Sequence, residues 1–234
     1  MSPEISVQLY SCRDHLDDLD GTLAKLVGIG LRNVEAFNFL GNAPEIAATL
    51  AKHGLKAPTG HAPFLSDELR FGDQVFPVPP IESVFEAART VGLELVIDPF
   101  VAPDRWTTLE GVQDTARRLN EAAKLAADYG LRVGYHNHTQ EIIPQIDGRM
   151  AFEVFADLLD DGVALEVDAF WAGAGGADVP ALLGRLGDRV EALHVKNAVL
   201  TGVDASIEEI VTWPQLPAGE GSLPEQAAAC AAGF

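Results

Sequence analysis

Seven short strand-forming runs, separated by segments with helical periodicity, constrain this chain more than any other feature. They fall at residues 6–10, 33–39, 56–61, 93–98, 132–138, 163–168 and 190–196. Leucines at 16, 19, 23 and 26 have helical spacing, and segments 44–53, 81–91, 107–129, 150–159 and 179–186 read as helices. Gly54, Gly92 and Gly130 stand where three of these helices should stop. Strands that alternate with helices in this way pair in parallel through right-handed crossovers, so the expected fold is α/β. Segment 62–80 carries several prolines and reads as a long loop.

The polar residues choose between an open sheet and a closed barrel. His61, Asp98, His138, Asp168 and His194 all stand at or near the carboxyl ends of different strands, which converge on one mouth in a TIM (β/α)8-type barrel. An open doubly wound sheet gathers ligands at a single switch point, and no GxGxxG follows an early strand. The expectation is one TIM-barrel domain over residues 1–234 that lacks its eighth strand. After Lys196 the sequence offers a loop, a helix-like stretch at 223–232 and then Gly233-Phe234. A missing strand leaves two sheet edges unpaired, so the chain is expected to be either aggregation-prone or self-associated through the gap.

The fifth run, Tyr135-His136-Asn137-His138 with Glu141, passes from apolar residues into imidazoles and a carboxylate. Alternation along a strand puts His136 and His138 on one face and Tyr135 and Asn137 on the other. Leu193-His194-Val195-Lys196 repeats the pattern, with His194 and Lys196 sharing a face, and Asp168 ends the sixth run. Imidazoles and carboxylates together suit a divalent ion such as Mn²⁺, Mg²⁺, Co²⁺ or Zn²⁺. Each residue also has a plainer reading: Asp168 as a helix cap, His194 as a satisfied core histidine. Glu35, Glu94 and Glu166 sit earlier in their strands and read as ion-paired groups. Gly173-Ala174-Gly175-Gly176 lacks the Lys-Ser/Thr of a phosphate-binding loop and reads as a tight turn. Trp106, Trp171 and Trp213 are core residues or sugar-stacking platforms.

Composition narrows the partners. Sixteen Lys and Arg against 35 Asp and Glu give a formal charge of −19, a field that repels a nucleic-acid backbone. No apolar run approaches the roughly 20 residues of a membrane span, and the first residues have no secretory pattern. Cys12 and Cys230 have no metal-ligand spacing and read as free thiols. A cytoplasmic protein acting on a small molecule is the expectation.

Gln8-Leu9-Tyr10 with Arg13-Asp14, Tyr135-His136-Asn137-His138 with Glu141, Glu166-Val167-Asp168 with Trp171, and Leu193-His194-Val195-Lys196 occur in that order. Together they resemble the xylose isomerase-like TIM-barrel superfamily, and within it the bacterial sugar phosphate isomerase/epimerase group. The resemblance implies a divalent metal held by a strand-five residue, the strand-six aspartate, the strand-seven histidine and a strand-eight glutamate. Asp168 and His194 match directly. The strand-five role falls to His136, His138 or Glu141, with Glu141 preferred because a carboxylate keeps the charge of the set. The strand-eight glutamate has no counterpart before Phe234. The implied chemistry is sugar isomerisation or epimerisation by proton abstraction next to a carbonyl, through an enediolate. His136 or His138 would move the proton, and Lys196 would neutralise the oxyanion. A dehydratase or lyase acting on a keto-sugar or keto-glycoside shares that first step. A non-catalytic, truncated carbohydrate-binding barrel is the third alternative.

Overall fold

The computed structural model describes residues 4–71, 74–199, 207–210, 212–217 and 220–222. The chain divides into two compact units, Met1–Pro99 with Ala122–Val133, and Phe100–Glu121 with Gly134–Phe234.

In the first unit, strands Ser6–Gln8, Asn33–Ala36, Lys56–His61 and Leu95–Asp98 lie side by side and parallel in chain order. Helices Leu19–Gly28, Ala43–His53 and Ile81–Val91 alternate with them. Leu23, Val34, Phe39, Phe85 and Ile97 are fully buried, each contributing on the order of 1.5–3 kcal/mol through the apolar area it removes from water. The helix stops follow the sequence: Gly54 and Gly92 close their helices at φ 67° and 90°, a region costly for residues with a Cβ.

Two departures have local causes. The first strand ends at Gln8, because the Gln8 side chain accepts the Tyr10 N–H at 3.0 Å and starts a 3-10 helix, Leu9–Asp18. Asp18 then caps the α-helix by accepting from Gly21 N at 2.9 Å. The expected loop at 62–80 instead contains an antiparallel ribbon, Glu68–Phe71 with Gln74–Pro77. Its prolines lie at 63, 77, 79 and 80, so only Pro77, at the end of the second run, falls within the ladder, and Gly72-Asp73 between the two runs is a hairpin signal in the sequence.

In the second unit, the end of strand Arg132–His136 pairs with Ala164–Asp168, which pairs with Val190–His194, all parallel. Helices Ala151–Asp157, Ala169–Ala174 and Val179–Leu186 follow their strands. Tyr135 is buried in an aromatic cluster, with ring centroids 5.4 Å from Trp106 and 5.3 Å from Phe155. The expected strand 132–138 stops at His136. Asn137 Oδ1 accepts the Asp168 N–H at 3.0 Å, and the His138 N–H turns to the Glu141 carboxylate at 2.7 Å. The expected tight turn at 173–176 is the end of helix Ala169–Ala174, with Gly176 at φ 89°.

The architecture is α/β, as the strand and helix alternation implied. Among the described residues no eighth parallel strand follows Val190–His194; Asn197–Ala198 pairs antiparallel with Gln215–Leu216. The helix-like stretch at 223–232 and Cys230 lie outside the described residues, and Cys12 is a free thiol.

Candidate metal centre

Three neighbouring strands of the second unit carry the site at their carboxyl ends. Register sets Glu166 beside His136 and Asp168 beside His194. Glu166 and Asp168 are two residues apart and so project from one face of their strand. His136, Glu166 and Asp168 are buried, and His194 is nearly so.

The two imidazoles lie between the two carboxylates. Glu166 Oε1 is 2.9 Å from His136 Nδ1 and 3.1 Å from His194 Nε2. On the other side, Asp168 Oδ2 is 3.9 Å from His136 Nε2 and 3.7 Å from His194 Nδ1. The histidine rings are 4.7 Å apart. One ligand atom each from His136, Glu166 and His194 fits within 4.8 Å of the others, a spacing one ion can span. The donor set, two imidazoles with carboxylates, is that of a borderline divalent ion.

Asp168 meets both of its sequence readings. Its Oδ1 accepts Trp171 N at 3.0 Å and caps helix Ala169–Ala174. Its Oδ2 meets the Lys196 ammonium at 2.5 Å, as an ion pair rather than an aligned hydrogen bond. Burial raises the Asp168 carboxyl, but the Lys196 charge and His194 outweigh it and hold the group well below the usual carboxylate range. Lys196 is about one-third exposed and also lies 5.8 Å from the Trp171 ring centroid.

Glu141 is placed differently. Fully buried, its carboxylate accepts from Tyr135 Oη at 2.7 Å and from His138 N at 2.7 Å, which pins the turn after the fifth strand. Burial pushes it up to about 7 against those hydrogen bonds. The turn sets the His138 ring 5.0 Å from His136 and 5.1 Å from Trp171. The structure thus brings together His136, His138, Asp168, His194 and Lys196, with Glu141 beneath them as the anchor of His138. Glu166 is the residue that position along the strand concealed. Its period-two relation to Asp168 was the available signal.

In the first unit, His61 Nε2 is 3.2 Å from Glu35 Oε1. Glu35 also accepts from Gln8 Nε2 and Thr59 Oγ1, each at 2.6 Å. Asp98 accepts the N–H groups of Phe64 and Leu65 at 2.7 and 2.8 Å, an anchor for the segment after the third strand. Trp106 is fully buried and Trp213 packs edge-on to Phe170.

The model of the xylose isomerase-like TIM barrel family matches residues 23–229. The chain belongs to that family. Among curated proteins none matches it in sequence. Solved structures share the fold at low identity. A sugar phosphate isomerase/epimerase from Parabacteroides distasonis superposes with a TM-score of 0.70 at 16% identity, covering 90% of this chain and 83% of that one. The IolI protein with a bound zinc atom gives 0.69 at 16% identity, over 99% and 86%. The probable 3-DHS dehydratase AsbF from Bacillus anthracis gives 0.63 at 14% identity, over 84% and 74%. Among the described residues, no helix is long and apolar enough to cross a membrane.

Proposed function

We propose that this xylose isomerase-like barrel is a metal-dependent sugar isomerase or epimerase that works by proton abstraction next to a carbonyl. The observation that carries the reading is the pair of imidazoles held between Glu166 and Asp168, with His138 and Lys196 beside them. Its neighbours in fold, which include a sugar phosphate isomerase/epimerase and a zinc-bound protein, agree with it.

His136, Asp168 and His194, with Glu166, would hold a divalent ion. When bound, that ion supplies positive charge that polarises a sugar carbonyl. Both nitrogens of His136 face carboxylates, so His136 belongs to the ligand set. His138 is the base, its backbone fixed by Glu141 and its ring packed on Trp171. An imidazole titrates near neutral pH and can both take and return a proton. It takes the proton from the carbon between carbonyl and hydroxyl, the electron pair moves into the carbon–carbon double bond of an enediolate, and Lys196 offsets the oxyanion charge. Return of the proton to the neighbouring carbon, with the hydroxyl proton passing to the former carbonyl oxygen, completes an isomerisation. A second reading, elimination of water after the same abstraction, is favoured by the dehydratase among the structural neighbours.

The test is hydrogen exchange. With Co²⁺ or Mn²⁺ added, a panel of aldoses, ketoses and their phosphates in deuterated water should include one whose carbon-bound hydrogen is replaced, read by proton NMR. His138→Gln should slow that exchange about 10²- to 10⁴-fold with the ion still bound. Bound ion with no exchange for any sugar would leave only carbohydrate binding. Loss of a hydroxyl from the exchanging sugar would select the dehydratase.

A further inference from the structure

The two imidazole nitrogens that face Glu166 are within hydrogen-bond reach of it, and the two that face Asp168 are not. A carboxylate only accepts, so His136 Nδ1 and His194 Nε2 are placed to donate to Glu166 Oε1, at 2.9 and 3.1 Å. The opposite nitrogens stand 3.9 and 3.7 Å from Asp168 Oδ2, too far for hydrogen bonds. A buried carboxylate is costly unless a positive charge sits beside it. Lys196 supplies such a charge, its ammonium 2.5 Å from Asp168 Oδ2.

We propose that Lys196 is a resident cation, its ammonium occupying at Asp168 the place that a divalent ion takes, so that ion entry and departure of the lysine are one event. This rests on the metal-dependent reading above. Asp168 Oδ1 is already committed to Trp171 N, so ion and lysine compete for Oδ2. A ligand oxygen lies about 2.0–2.2 Å from an ion such as Zn²⁺. With the ammonium left on the same oxygen, the two cations would stand no more than about 5 Å apart, in a site where burial weakens screening. Lys196 has somewhere to go: it is about one-third exposed, on a flexible four-carbon stem, with the Trp171 ring face nearby. Its departure also frees the ammonium to meet a substrate oxyanion, so a loaded site and an armed lysine coincide.

Coupling of this kind is reciprocal, so it can be read from either side. Co²⁺ is the probe, because its visible absorption reports binding directly. Lys196→Gln should bind Co²⁺ about 5- to 150-fold more tightly than the unaltered chain. On the unaltered chain, acetylation of Lys196 by a pulse of amine-reactive acetyl ester, followed by peptide mass spectrometry, should be several-fold faster with saturating Co²⁺. That arm needs no variant to fold. Equal Co²⁺ affinity in the two proteins, or Lys196 acetylation that does not rise when Co²⁺ binds, overturns the exchange while leaving the metal centre standing. Failure of both proteins to bind Co²⁺ overturns the exchange and the metal-dependent reading together.

Discussion

Glu141 shows how one residue's environment becomes a measurable property. Burial lifts its carboxyl to about 7 from an ordinary 4.5, against the hydrogen bonds from Tyr135 and the His138 backbone. Between those values the folded protein keeps a proton that the unfolded chain has released. Its contribution is therefore full below about pH 4.5 and lost as pH rises toward 7, by about 3 kcal/mol in all. Urea unfolding at a series of pH values from about 5 to 7.5 should show this decline. Glu141→Gln should flatten it, since the amide does not ionise; an undiminished slope would place its origin elsewhere. Glu166 gives a second expectation. A glutamine there cannot accept from both imidazoles as an anion does, so Glu166→Gln should weaken Co²⁺ binding about 10- to 100-fold, read by titration of the visible absorption. An unchanged affinity would remove Glu166 from the site.

At the scale of elements, what sequence reveals is periodicity and what it conceals is where a polar side chain takes over a backbone partner. Tyr135 was legible because alternation sets it opposite His136, and it lies in the aromatic cluster with Trp106 and Phe155. The helix stops at Gly54 and Gly92 were legible because only glycine takes their backbone angles cheaply. The end of the fifth strand was not. It depends on Asn137 reaching Asp168, 31 residues away, and no local pattern encodes that. The same holds for Glu141: its carboxylate matches a metal ligand in type, and only the folded turn directs it to Tyr135 and His138. The aromatic cluster supports the strand that carries His136, so its packing is testable by stability. Phe155 is fully buried against Trp106 and Tyr135. Phe155→Ala should cost about 3–5 kcal/mol in denaturant unfolding through lost burial and the cavity left behind. A cost under about 1 kcal/mol would mean that the site closes over the gap.

For the whole molecule, the question is whether two compact units mean two independent domains. Each unit is built from separated pieces of chain, since the first takes Ala122–Val133 after the second has taken Phe100–Glu121. The boundary falls inside helix Leu109–Asp128 and inside strand Arg132–His136. Were the second unit to unfold alone, the first would retain only residues 122–128 of that helix, far below the roughly 12–15 residues at which an isolated helix becomes marginal in water. The strand would likewise keep Arg132 and Val133 and lose Gly134, Tyr135 and His136. Both costs fall on any state in which one unit is folded and the other is not, so we propose that the chain unfolds as one domain. All three tryptophans, Trp106, Trp171 and Trp213, belong to the second unit, so their fluorescence reports that unit, whereas far-ultraviolet circular dichroism reports helices of both. The two signals should give the same midpoint and the same slope in guanidinium. A fluorescence transition separated from the dichroism transition would show that the units unfold independently, and the single-domain reading would be lost.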